Sequence, residues 1–209
     1  MNEEQAVLSF FAKPENLPLA LSVAEQVDDI RVQMNSLFWQ SLQQRLMSRN
    51  DHFSCDWRTI EDRNQSDLLV GLQCGLQDSS STNLFPMMEQ QYLGGAWRIF
   101  FGLMWQTAPT IAQLTLPDVA ALKSRFAATG FKQNENFIAW QWSTLYPRRR
   151  DFLQRFAFDP EKLLDEAETI LSPFLLDYGD EITRANVALS AAPRSMAISL
   201  DQLRRKRAD

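Results

Sequence analysis

The order of apolar and polar positions divides the chain into helices set on either side of a run of strands. From about Pro18 to Arg49, Val23, Val27, Ile30, Met34, Leu37, Phe38, Leu42 and Leu46 follow steps of three and four, the spacing of one face of an α-helix. Such a helix of roughly 30 residues measures roughly 45 Å at 1.5 Å per residue, several times the average length. It either runs past the rest of the domain and offers its free end to a partner or kinks in two; ordinary packing of its stripe across the sheet is the usual role of such a face, with dimerisation through it as the functional alternative. Ahead of it, Glu3 to Phe11 predicts a short helix with Ala6, Val7, Phe10 and Phe11 on one side, broken off by Pro14 and Pro18.

Between Leu68 and Trp142 the period changes to two. Leu68, Val70, Leu72, Cys74 and Leu76 fall on alternate residues, as do Trp97, Ile99, Phe101, Leu103 and Trp105, and then Ile138, Trp140 and Trp142; Phe53, Cys55 and Trp57 form a weaker run before them. Only Leu116 to Ala128 offers a crossover helix, so the strands favour an antiparallel meander. The polar stretch from Asp56 to Asp67 reads as a hairpin connection, and Asp78 to Asn83 as a mobile loop. Phe85-Pro-Met-Met88 is read as an apolar cluster anchoring that loop, with a lid over the sheet edge as the functional alternative.

The remaining signals are helical. Pro117, Asp118 and Gly130 bracket a short helix with Val119, Leu122 and Phe126 inward. Asp159-Pro160 opens a long one, with the stripe Leu163, Leu164, Ala167, Ile170, Leu171, Phe174 and Leu175 and a bend at Pro173. Beyond Ala192 the pattern stops. The expected fold is α+β: an antiparallel sheet of about four strands, a long amino-terminal helix, a short helix between strands and a long carboxy-terminal helix. It forms one domain over residues 1–192, followed by a flexible basic tail over 193–209.

Composition narrows the partners. With 209 residues and 45% hydrophobic content the chain can bury a sizeable core, and a net charge of −5 at a pI near 5.0 makes the bulk of its surface repel phosphates. Cys55 and Cys74 fall in predicted strands without a C-x-x-C pair, and Met1-Asn-Glu-Glu begins neither a signal peptide nor a span, so a reduced, cytoplasmic protein is expected. No apolar run reaches the roughly 18 to 20 residues that a membrane helix needs, so no membrane partner is expected.

Catalytic motifs are mostly missing. The single histidine, His52, beside Asp51, leaves no His-rich metal site. There is no G-x-S-x-G elbow, no P-loop and no G-x-G-x-x-G, and Gly71 and Gly75 lie inside a strand, where they relieve crowding rather than cradle phosphate. The acid pairs Asp28/Asp29, Glu61/Asp62 and Asp180/Glu181 have polar neighbours and read as solvated faces. Neither metal nor cofactor is expected, and the enzymatic alternative is a hydrolase hinged on His52.

Binding chemistry has more candidates. Trp97, Trp105, Trp140 and Trp142 form either the core face of the sheet or a concave platform for a sugar or nucleobase, with core packing the ordinary role of such residues. Arg148, Arg149 and Arg150, with Arg155 further on, are suited to clamping a phosphate or an acidic partner. In the tail, Ser199-Leu-Asp-Gln202 reads as a capping box for a short docking helix carrying Leu200, Leu203, Arg204, Arg205, Lys206 and Arg207.

The long helix with Phe38-Trp39, the strand Val70-Gly-Leu-Gln, the strand Ile99-Phe-Phe-Gly-Leu-Met-Trp105, a helix, the Trp140-Gln-Trp142 strand and a closing acidic helix follow one another in an order that resembles the region after the nuclease core in some PD-(D/E)XK-family bacterial proteins. The resemblance spans about Val23 to Ala188, without the nuclease signature, since Pro117-Asp118 is followed by no acid-x-Lys. It implies an accessory domain lacking the cleavage centre, in a bacterial defence or mobile-element setting. The expected function is therefore a protein-interaction or accessory subunit, with a nucleic-acid- or ligand-binding module using Arg148 to Arg150 and the aromatic sheet as the alternative.

Overall fold

The computed structural model describes residues 2–49, 53–62, 65–76 and 83–192. His52, most of the 78–83 loop and the whole 193–209 tail lie outside them. Helix α1 (Glu3–Phe11) starts at Asn2, whose side chain accepts from the Gln5 backbone N–H, and turns into α2 (Leu17–Arg49), one unbroken helix of 33 residues. The sheet follows as β1 (Phe53–Asp62), β2 (Gln65–Leu76), β3 (Leu84–Leu93), β4 (Ala96–Trp105) and β5 (Phe137–Trp142). Helices α3 (Ile111–Leu114) and α4 (Pro117–Ala128) lie between the last two strands, and α5 (Arg150–Phe158), α6 (Pro160–Leu175) and α7 (Gly179–Ala191) close the described chain. This is the expected α+β class, with the five strands ordered β1-β2-β3-β4-β5 and every neighbouring pair antiparallel.

Three expectations change. The fifth strand is β3, expected as a loop or lid: Leu84 to Gln90 are buried without alternation, because side chains on both of its faces are enclosed. Its pairing with β2 runs only to Met87, one residue short of Pro86, which has no N–H to give to a ladder. The β1–β2 connection is shorter than expected, since β1 continues to Asp62 and β2 begins at Gln65. The last helix is two helices: α6 carries Pro173 in its final turn, and the chain turns at Leu176 to Tyr178 before α7.

Cross-strand register explains the glycines. Arg58 pairs with Gly71, and Gly71 pairs with Glu89, so the arginine and the carboxylate reach each other over a residue that has no side chain. A Cβ on Gly71 would collide with the Met88 carbonyl oxygen and come within 2.8 Å of the Glu89 Cα. Gly102 plays the same part between Met87 and Trp140, where a Cβ would meet the Ala139 carbonyl and lie 2.9 Å from the Trp140 Cα. Arg58 and Glu89 are 5% and 1% exposed, their Nε and Oε1 are hydrogen-bonded, and Arg58 also donates to Gln73 Oε1 (3.1 Å) and lies over the Phe85 ring.

The core fills the opposite face of the sheet. Leu72, Met88 and Phe101 share that face by register, and Phe101 meets Phe174 of α6 while Phe126 of α4 stacks on the same Phe174. The carboxy-terminal half of α2 joins them through the buried Phe38, Trp39, Leu42 and Leu46. Trp39 donates its indole N–H to Gln90 Oε1 (3.1 Å), and Phe38 packs edge-on against Phe152 and Phe156 of α5. Arg45 fixes α2 to α6 through Glu168 (2.7 Å), Glu161 (2.6 Å) and Asp165; the hydrogen bond to Glu168 leads in holding its guanidinium above its ordinary pKa.

The cysteines also depart from expectation. Cys55 and Cys74 are direct cross-strand partners with Cα atoms 4.3 Å apart, the close spacing of a non-hydrogen-bonded pair, and they form a disulfide where free thiols were expected. Among the described residues no helix is long and apolar enough to cross a membrane.

Two stability predictions come from this packing. Removing one member of a buried ion pair strands the other, so Glu89→Leu alone is expected to lower unfolding stability by about 3 to 5 kcal/mol, whereas Arg58→Met/Glu89→Leu recovers most of the loss. Guanidinium denaturation of the three proteins checks this, and an additive double variant would refute it. The disulfide closes a loop between cysteines 19 residues apart. Reduction is therefore expected to cost about 3 kcal/mol, read as a lower denaturation midpoint with reductant that a Cys55→Ser/Cys74→Ser protein does not show.

Candidate functional site

Two surfaces stand apart from the packed core. The first is the amino-terminal half of α2. Up to about Gln33 nearly every residue is exposed, and from Asn35 onward one face of the helix turns into the core. At roughly 100° per residue, Leu19, Val23, Ile30 and Leu37 fall on one ridge, about 27 Å long. Val23, Ile30 and Leu37 are 48%, 47% and 53% exposed. Ala20, Val27 and Met34 run beside them half-buried and complete a heptad-like seam. Gln26, Gln33 and Gln40 border the ridge, while Glu25 and Asp28 lie on the far side of the helix.

The second surface is a cleft of about 550 Å³ at the foot of that arm, lined by Asp28 and Arg31 of α2, by Tyr92, Gly95, Ala96 and Trp97 around the β3–β4 turn, and by Pro147, Arg148 and Arg149. The turn itself is Gly94-Gly95, both in the left-handed region (φ 60° and 79°), as a two-residue hairpin of the primed type requires. The opposite wall is held by Ser143 and Leu145, whose backbone groups bond to Ile99 on β4 (Ser143 N–H to Ile99 O, 2.9 Å; Ile99 N–H to Leu145 O, 3.2 Å). Next to it, Arg148 adopts φ 69°, the one non-glycine positive φ among the described residues, a conformation costing about 1 to 3 kcal/mol.

That backbone places cations on rings. The Arg148 guanidinium lies 4.4 Å from the Trp97 ring centre, and Arg149 lies 4.1 Å from that of Tyr146. Arg98 is sandwiched between Trp142 (4.4 Å) and Tyr146 (5.5 Å). Stacking occupies the flat face of a guanidinium and leaves its N–H edge free to donate. The Nε of Arg148 is buried without a hydrogen-bond partner, and burial pushes this arginine below its ordinary pKa, against the opposing pull of the Asp28 charge. Asp28 itself is bonded to Arg31 (2.9 Å).

The predicted site residues are thus divided. Arg148, Arg149 and Trp97 come together in the cleft. Arg150 is exposed in the first turn of α5, and Arg155 is drawn away to Glu166 of α6. The four tryptophans do not share a face: Trp140 and Trp142 pair with Gly102 and Phe100, on the side of the sheet opposite Trp97 and Trp105. Trp105 is buried, and Trp140 and Trp142 pack edge to face at 6.0 Å, so no continuous stacking platform exists. His52, Leu200, Leu203, Arg204, Arg205, Lys206 and Arg207 lie outside the described residues. Arg31, Tyr92, Gly95, Ala96 and Pro147 are the lining residues that the sequence did not single out, and Asp28 was read there only as part of a solvated acid pair. The Gly94-Gly95 pair between apolar runs was the available signal for the turn, but nothing local connects it with α2.

Comparison with protein-family models, curated proteins and solved structures finds no match to the chain. Among the described residues no three His, Cys, Asp or Glu side chains converge as a metal site.

Removing Arg155 tests the division of the arginines. Its partner Glu166 is partly exposed and such pairs contribute about 0 to 1 kcal/mol. Arg155→Ala is expected to leave thermal stability nearly unchanged and the fluorescence of Trp97 unaltered, whereas Arg148→Ala, which uncovers the Trp97 ring, shifts the emission to the red. The same red shift in both variants would place Arg155 in the cleft after all.

Proposed function

We propose that this is a protein-interaction module that pairs with a second copy of itself through the apolar ridge of α2. The observation that carries the reading is the exposure of Val23, Ile30 and Leu37 along a helix that continues well beyond its own core. A helix alone in water gains little from such residues, and an amphipathic face is ordinarily stabilised by packing against something. Charge favours a like partner. The seam is bordered by Gln26, Gln33 and Gln40 on one side and by Ala24 and Arg31 on the other, and the acids of the arm sit away from it, so two copies meeting in parallel set Arg31 against glutamine rather than a like charge. The exposed Val7, Leu8 and Phe10 of α1 extend the apolar surface at the tip of the arm.

In this role the α+β body is the rigid support that holds α2 by Phe38, Trp39, Leu42 and Arg45 and projects its free half. An accessory subunit docking on another protein's helix uses the same surface, and the two differ in what purified protein does by itself. Light scattering with size-exclusion chromatography is expected to give a mass that rises toward twice the monomer between about 1 and 200 µM, the range in which weak pairs dissociate. Ile30→Glu is expected to hold the protein as a monomer throughout that range and to melt like the dilute natural protein, because Ile30 is half exposed and stands apart from the core cluster. A monomer at every concentration for the natural sequence, or a dimer that survives Ile30→Glu, would overturn the reading.

A further inference from the structure

We infer that the cleft between α2, the Gly94-Gly95 turn and Arg148–Arg149 is a binding site for a small phosphorylated ligand with a flat ring, of the nucleotide class. Its size, about 550 Å³, falls within the range of small-molecule sites. Arg148 and Arg149 both line it, their guanidiniums stacked on Trp97 and Tyr146, and stacking leaves N–H edges available to an oxyanion. The described residues give neither of them an ion-pair partner, and the buried Nε of Arg148 has no acceptor. Two adjacent cations suit a dianionic phosphate better than a single carboxylate. The left-handed backbone at Arg148 is a local expense that keeps this arrangement in place.

The ring has its own place. Tyr92 is 61% exposed at the rim, tilted against Trp97 at 5.8 Å, and Gly95 beside it leaves space where a Cβ would meet nothing within 4 Å. Asp28 and the paired Arg31 form the far wall and offer an acceptor and donors to ring or sugar. A polynucleotide fits less well. Arg45 is neutralised by three acids, Arg125 by Glu181 and Arg155 by Glu166, so beyond the neighbouring Arg98 and Arg150 these arginines add nothing to a basic track. Asp28 of the site lies on the side of α2 away from the ridge, whereas Arg31 stands beside Val27 and Met34.

The test is calorimetric titration of the full chain, with tryptophan fluorescence in parallel, using adenosine 5′-monophosphate, guanosine 5′-monophosphate, inorganic phosphate and adenosine. A nucleoside monophosphate is expected to bind, inorganic phosphate to bind at least about tenfold more weakly, and adenosine weaker still. Tyr92→Ala, an exposed position that leaves folding intact, should weaken the nucleotide and spare inorganic phosphate; Arg149→Gln should weaken both by about tenfold or more. Absence of heat and fluorescence change with either nucleotide up to about 10 mM would overturn the inference. So would adenosine binding as tightly as its phosphate, inorganic phosphate binding as tightly as the nucleotides, or nucleotide binding that Arg149→Gln leaves untouched.

Discussion

The carboxy-terminal half of α2 is the constraint on which the rest of the molecule depends. Phe38, Trp39 and Leu42 are fully buried between the sheet and α5, and the Trp39 indole is satisfied by Gln90 in the middle of β3. A buried indole N–H without a partner would forfeit on the order of 1 to 3 kcal/mol, so the hydrogen bond fixes not only the depth of the helix but its rotation about its own axis. Arg45 adds a second fixed point about one and two-thirds turns later, through three acids of α6. With rotation set there, every side chain in the projecting half has a determined direction. Val23 and Ile30 face outward, and Asp28 and Arg31 face the β3–β4 turn.

The sheet supplies the other half of that rigidity. The row Arg58, Gly71, Glu89 crosses three strands and allows one register only, because a slip of one residue would send a charged pair to the opposite face and put a side chain where the Met88 backbone stands. Buried ion pairs seldom add much net stability, since desolvation cancels most of the attraction. Their strength lies in making alternatives worse. Here the alternative registers leave Arg58 or Glu89 buried and unpaired, and the position of the β3–β4 turn, hence of Tyr92 and Trp97, follows from the register chosen.

Long elements with one buried face were legible in the sequence. The spacing from Val23 to Leu46 located α2, Pro117 and Gly130 bracketed α4, and the Asp159-Pro160 start of α6 holds, with Asp159 accepting from the Lys162 N–H. What escaped was set by burial on two faces at once. Leu84-Phe-Pro-Met-Met-Glu-Gln carries no alternation because both sides of β3 are enclosed, and its Glu89 and Gln90 look like loop residues until their partners Arg58 and Trp39 are known. For the same reason the alternation of Trp97 to Trp105 and of Ile138 to Trp142 was visible strand by strand, yet their relative parity was not. Pairing of Phe100 with Trp142 is a matter of register, and it puts the tryptophans of β5 on the opposite face from those of β4.

The candidate cleft shows the same limit in a sharper form. Arg148 to Arg150 stood out against an acidic chain, but whether an arginine is a ligand clamp or a surface tie is decided by what stands opposite. Arg155 finds Glu166 and becomes a tie between α5 and α6, while Arg148 finds an indole face and keeps its hydrogen-bonding edge. An aromatic partner holds a guanidinium in place without neutralising it, whereas a carboxylate does both. A protein that needs a standing positive charge in a defined direction therefore gains more from Trp97 and Tyr146 than from any acid. The two stacked arginines, built on one strained residue in a chain of net charge −5, have that character.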